Sequence, residues 1–177
     1  TPRSDFSAYK SMVTKIVIKP GVTAITNGMF KGMSGVTSVV LPSTLKTIGA
    51  NAFQDCRSLE SINLPSSLKN IGTHAFDGCN RLPSIVIPEG VKSIATGTFR
   101  RTGLKTVQLP NTLTSMGNAS FAYCNSLTEV TIPAGVKKID IAPFRGCRKL
   151  KTIHVASGNT NYEYMHVTVD TPPEIYG

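Results

Sequence analysis

The sequence predicts an α/β-type repeat solenoid with little regular helix, and three observations carry that expectation. The first is a block of 23 residues, L-x-x-I-x-L-P-x-x-L-x-x-I-x-x-x-A-F-x-x-C-x-x, that recurs through most of the 177-residue chain. Its lead positions fall at Val13, Val36, Leu59, Leu82, Leu104, Leu127 and Leu150, separated by 23, 23, 23, 22, 23 and 23 residues. The second is a proline at one fixed place, at Pro42, Pro65, Pro88, Pro110 and Pro133, with Pro20 one residue late in the first copy. The third is a phenylalanine in register at Phe30, Phe53, Phe76, Phe99, Phe121 and Phe144. A unit this short cannot bury its own apolar face, so it stacks on its neighbours.

The copy Leu59–Arg81 shows what each part is expected to do. Ile62 and Leu64 alternate around Asn63, the period-two pattern of a short half-buried strand. Pro65 has no amide to donate and sits where ladder pairing ends. Leu68 and Ile71, three apart among polar residues, suit an extended or turn segment crossing back over the core. The Ala75-Phe76 pair follows, and a bulky ring repeated at one place in every coil is expected to form a stacked spine inside the solenoid. Stacking the first segments side by side makes a parallel sheet with about 4.8 Å between strands, one face on the core and the other open. That open, concave surface is the one on which solenoids bind partners.

The pattern, with Cys56, Cys79, Cys124 and Cys147 closing four of the copies, resembles the BspA-type leucine-rich repeat of bacterial surface and secreted proteins. The similarity runs over about residues 9 to 155, and the fourth copy, Phe99-Arg100-Arg101-Thr102-Gly103-Leu104, is similar to a minor variant of that family's repeat. The resemblance implies a right-handed leucine-rich-repeat solenoid, its parallel sheet on the concave face and turns or short helical segments on the convex face. It also implies a non-enzymatic, cell-surface or secreted module that mediates adhesion by binding a protein or glycan. A structural spacer presenting other domains, with no ligand of its own, is the competing expectation. By this division residues 1–12 are a lead-in or cap, 13–155 the solenoid of about six repeats, and 156–177 a C-terminal cap or divergent last repeat. Within that tail, Val167–Pro173 reads as one more strand stopped by prolines.

No constellation of catalytic or metal-binding residues is legible, and neither enzymatic activity, a cofactor nor a metal is expected. The cysteines share one block position and project in parallel, whereas chelation needs convergent ligands. Buried reduced thiols are the favoured reading, with a bridge between Cys56 and Cys79 or between Cys124 and Cys147 left open. His74, His154 and His166 occupy different places, and none is paired with a nucleophile at a suggestive spacing. No apolar run reaches the ~18 residues of a membrane span. The polar start Thr1–Asp5 carries no signal-peptide core, so the chain is either cytoplasmic or lacks a removed leader, and the family resemblance favours the secreted or surface location.

Two surfaces remain as candidates. On the open sheet the outward positions are small and hydroxyl-rich, which β-propensity on an exposed sheet explains as well as a binding surface does; if the face binds, Asn63, Gln108, Glu129, Thr131 and His154 are the less generic side chains there. The net charge of +9 lies elsewhere: Lys46, Lys69, Lys92 and Lys137 share one place on the returning segment, interrupted by Thr114. That column would suit an anionic partner, but a solvated face that keeps the array soluble is the favoured reading. No aromatic is interleaved with the lysines, which argues against single-stranded nucleic acid. The expected state is a monomer, or weak self-association through the solenoid ends.

Overall fold

A computed structural model of the chain describes residues 7–159 and 174–176. It is a parallel-strand β-solenoid of about six turns with almost no helix. The first segment of each copy forms β1 (Lys15–Val17), β3 (Ser38–Val40), β5 (Ser61–Ile62), β7 (Ser84–Val86), β9 (Thr106–Gln108), β11 (Glu129–Ile132) and β13 (Thr152–Val155). These pair in parallel and in block register, Ile16 beside Val39 and Val39 beside Ile62, so every inward residue meets its own counterpart. The ladder is not continuous, however: it divides into β1-β3-β5, β7-β9 and β11-β13, the last joined by β14 (Glu174–Tyr176).

The first division has a covalent cause. At the second block position Thr37, Glu60, Lys105 and Lys151 donate their amides to the carbonyls of Thr14, Thr37, Pro83 and Thr128 in the preceding copy, at 2.8–2.9 Å. The fourth copy places Pro83 there, and a proline has no N–H to give to Glu60. A cleft of about 180 Å³ opens where the pairing lapses, lined by Glu60–Leu64 and Ser84–Val86.

The returning segments form a second parallel ladder rather than a plain crossing: β2 (Ala24–Ile25), β4 (Thr47–Ile48) and β6 (Asn70–Ile71), then β8 (Ser93–Ile94), β10 (Ser115–Met116) and β12 (Lys138–Ile139). It too lapses between the third and fourth copies. Beyond it, turns fill the stretch for which turns or short helical segments were expected, and the one helical element among the described residues is a 3-10 turn at Ser7–Tyr9. Helix is excluded there by backbone geometry. In each copy two residues four apart adopt positive φ, such as Asn51 and Asp55 at 57° each or His74 at 52° and Gly78 at 81°, and a left-handed residue ends a right-handed helix.

Those left-handed residues build a third ladder, of turns. In the third copy the amides of His74, Phe76 and Gly78 donate to the carbonyls of Thr96, Thr98 and Arg100 in the next copy at 2.9–3.0 Å. The same triplet of bonds recurs at all five junctions from Gly28, Phe30 and Gly32 to Ala119, Phe121 and Tyr123. Between the third and fourth copies it is the only one of the three ladders that continues. The phenylalanine at its centre faces inward, and the six rings stack with centroids 5.3–5.7 Å apart and planes within 20° of parallel. The expected aromatic spine is present, in a core shared with the inward residues of both strand ladders.

The cysteines pack beside that spine as free, buried thiols. Each is more than filler: the thiols of Cys56, Cys79, Cys124 and Cys147 donate to the carbonyls of Phe30, Phe53, Phe99 and Phe121 at 3.1–3.2 Å. In the short copy Thr102 takes the cysteine place, donating to the Phe99 carbonyl at 2.9 Å and lying 3.1 Å from Cys124 Sγ. Burial pushes the Cys56 thiol up to about 12 and raises Cys79 well above its ordinary value.

Three outcomes follow from this packing. Phe76→Ala removes a fully buried ring from between two others and lowers stability by about 3–5 kcal/mol in urea unfolding. Ser120 buries a hydroxyl with no hydrogen-bond partner where earlier copies have Ala52 and Ala75; Ser120→Ala therefore raises the unfolding midpoint, by an amount equivalent to about 1 kcal/mol. Two of the thiols, those of Cys56 and Cys79, make stability pH-dependent on the alkaline side. Unfolded cysteines ionise from an ordinary pKa of 9.0 while folded Cys56 holds its proton up to about 12. The folded state thus binds more protons in that window, and stability is flat below pH 9 and falls above it, at ~1.4 kcal/mol per thiol per pH unit. Denaturant titrations at pH 7, 9 and 10 read this directly, and a Cys56→Ala/Cys79→Ala variant flattens the slope.

Candidate functional site

The open side of the first ladder carries two rows of side chains, Lys15, Ser38, Ser61, Ser84, Thr106, Glu129 and Thr152 at the third block position and Val17, Val40, Asn63, Val86, Gln108, Thr131 and His154 at the fifth; the fifth-position row varies most in chemistry. Alternation puts them outward while Ile16, Val39, Ile62, Ile85, Val130 and Ile153 face the core. The row is apolar at one end and polar at the other. Val17, Val40 and Val86 are 53%, 46% and 58% exposed.

The five residues singled out on this face do not form one cluster. Asn63 lies in the cleft left by Pro83, between β5 and β7. Gln108 is beside Val86 in the β7-β9 pair. Glu129, Thr131 and His154 come together on β11 and β13, where Thr131 is the register partner of His154 and His154 Nε2 lies 3.5 Å from Glu129 Oε2. Both members of that pair are solvent-exposed, so it orients two side chains more than it stabilises the fold.

Lys46, Lys69, Lys92 and Lys137 immediately precede the second-ladder strands β4, β6, β8 and β12, and all four are exposed. The backbone holds them in two runs: Lys69 donates to the carbonyl of Lys46, and beyond the lapse Thr114 donates to that of Lys92 and Lys137 to that of Thr114, at 2.8–2.9 Å. None has an acidic partner within 4.0 Å among the described residues. By contrast Lys138 pairs with Asp140 at 3.2 Å.

A third group escaped the sequence reading. Asp77 is a carboxylate only 2% exposed, held between His74 Nδ1 at 3.2 Å and Arg101 Nε at 2.9 Å. Its hydrogen bond holds Arg101 more firmly protonated than usual. The Asp77–Arg101 pair ties the third copy to the fourth, the junction at which both strand ladders lapse. The signal that could have found it is departure from the template. The turn position occupied by Gly32, Gly78 and Gly146 holds Asp55, Arg101 and Tyr123 in the other copies, all with positive φ.

Among the described residues no three His, Cys, Asp or Glu side chains converge to hold a metal ion, and no helix is long and apolar enough to cross a membrane.

The fold has recognisable relatives. The chain is similar to a leucine-rich repeat protein of T. pallidum, with 27% identity and a TM-score of 0.52, over 79% of this chain and 57% of that one. A leucine-rich repeat protein from Bacteroides ovatus aligns at 23% identity and TM-score 0.54, over 94% and 55% of the two chains. The pneumococcal vaccine antigen PcpA aligns at 18% identity and TM-score 0.52, over 82% and 51%. The chain thus spans little more than half the length of these structures. Among curated proteins none matches significantly. At the level of sequence families, the BspA type leucine rich repeat region matches residues 3–128 and 114–166 in six copies. With that match running over nearly all of the described solenoid, the chain belongs to the BspA-type leucine-rich repeat family.

Proposed function

We propose that the array is a non-enzymatic binding module of a cell-surface or secreted bacterial protein, which holds an extracellular protein partner against the open face of its first ladder. The observation that carries this reading is the row of exposed valines. Val17 and Val40 are register partners, and Val86 continues their line across the cleft at Asn63. Apolar side chains lined up on an outward face gain further stability when a partner covers them. The polar continuation through Gln108, Thr131 and His154, with Glu129 beside them, supplies hydrogen-bonding groups on the same row. Seven positions at about 4.8 Å extend the footprint to about 30 Å, a length suited to a protein surface.

Family membership supports the surface location and the absence of turnover, since BspA-type repeats are typically non-enzymatic. A second reading rests on the unpaired lysines, which would hold an anionic glycan or polymer along the second ladder.

The test is an immobilised array of extracellular proteins and glycans, probed with the chain at low and high salt. A protein binder is expected whose affinity survives salt and falls at least tenfold in a Val40→Lys/Val86→Lys variant, with the unfolding midpoint unchanged. Binding that is abolished by salt and by Lys69→Glu, yet indifferent to the valines, would transfer the function to the lysine column. No reproducible binder would leave the spacer role.

A further inference from the structure

We propose that the turn cleft at the short fourth copy is a binding site for a carboxylated sugar ring, independent of the open-face reading. The missing residue of the 22-residue copy is lost here: five residues lead from Phe99 to Leu104, where six lead from Phe76 to Leu82 and from Phe121 to Leu127. The shortened turn leaves a cleft of about 500 Å³ whose walls include Asn80, Arg100, Arg101, Tyr123, Asn125 and Ser126. That volume lies within the range of small-molecule sites, about 300–1,000 Å³.

The charges are not self-compensated. Arg101 spends its Nε on buried Asp77, but half-buried Arg100 has no acidic partner within 4.0 Å among the described residues. It lies with its guanidinium carbon 5.8 Å from the centroid of the Tyr123 ring. No Asp or Glu lines the cleft. Its walls therefore offer one uncompensated guanidinium, one aromatic ring, two amides and a hydroxyl.

The backbone adds an independent indication. Arg101 and Tyr123 hold φ of 54° and 61° at the turn position where Gly32, Gly78 and Gly146 stand in other copies. Bulky residues in this region are strained, at a cost of about 1–3 kcal/mol each, and such strain collects at functional sites. The array has an unstrained alternative in glycine; of the three copies that do not use it, one places Asp55 there, a residue type that tolerates this region, and the two with bulky residues flank the cleft. Tyr123 is also fixed in place: a Cβ added to Gly146 would fall 2.4 Å from its ring, so the ring lies directly against that backbone.

One free forked cation matches one carboxylate, which it can bind bidentately. A phosphate monoester carries about −1.5 to −2 charges, which one free guanidinium leaves partly uncompensated. The aromatic ring suits the apolar face of a pyranose, while Asn80, Asn125 and Ser126 suit its hydroxyls.

The experiment titrates the chain with a galacturonic acid trisaccharide, followed by NMR, with the neutral galactose trisaccharide and inorganic phosphate as comparators. The acidic trisaccharide is expected to bind saturably and to shift the Tyr123 ring resonances, while neither comparator does. Arg100→Gln weakens that binding by at least about tenfold. Tyr123→Gly weakens it similarly while unfolding at or above the parent's midpoint, because it removes the strain. Absence of saturable binding, equal binding of the neutral sugar, displacement by phosphate, or affinity unchanged in Arg100→Gln would each overturn the assignment.

Discussion

Everything in this solenoid depends on a turn that can hydrogen-bond along the axis. Three amides per copy must point at the next coil while a phenylalanine between them points inward, and that is possible only if the flanking residues take left-handed backbone conformations. The resulting ladder and the column of rings are one device. Bonds of 2.6–3.2 Å set the coil spacing on that side, and the rings meet at 5.3–5.7 Å because they ride on it. The two strand ladders are less constrained, and each can lapse without breaking the stack.

The junction between the third and fourth copies shows how that tolerance is used. Pro83 removes one amide, the first ladder opens, and the second lapses at the same place. What remains includes the turn ladder, the ring pair Phe76 and Phe99, the Asp77–Arg101 bridge and the bonds from Gly103 N to the Cys79 carbonyl and from Thr98 Oγ1 to the Gly72 carbonyl. A bridge of this kind is a strong positional constraint, since removing either partner strands a charge, at about 3–5 kcal/mol when fully buried. Arg101 is about half exposed, so the effective figure lies below that range. The pair works chiefly as a register lock across a weakened seam.

Much of this was legible in the sequence, because a period of 23 makes one copy's chemistry testify for all the others. Ile62 flanked by Ser61 and Asn63 reads as a half-buried strand, and the six phenylalanines in register read as a core column. The second ladder was harder: a two-residue strand such as Asn70–Ile71 is too short to show alternation, and only its pairing with Thr47–Ile48 reveals it. The turn ladder has no strand signature at all. Asn51, Asp55 and His74 are residue types enriched in the left-handed region, but nothing in a side chain such as Arg101 or Tyr123 announces positive φ. The open-face row was readable from alternation, while its division into patches was not, since that follows from Pro83 and from a lapse between β9 and β11. Pro83 itself was visible as a proline within a strand segment, and its consequence became clear only once Thr37 and Glu60 were seen donating from the same place.

The excess positive charge can be divided by magnitude. Two exposed lysines one coil apart repel by about 1 kcal/mol in water before screening, and at physiological salt the Debye length of about 8 Å reduces the longer-range part of the file. Lys46, Lys69 and Lys92 therefore cost the fold little, and their arrangement is available to a partner without being required by the structure. Arg101 stands in the opposite situation: its partner Asp77 is 2% exposed, and a buried carboxylate without a cation would be expensive. Arg100, its neighbour in sequence, has neither obligation. On a ladder that fixes every backbone group, it is held against Tyr123 at the one turn that the chain has shortened. Structural charge and free charge thus stand side by side in the sequence, and burial of the partner is what tells them apart.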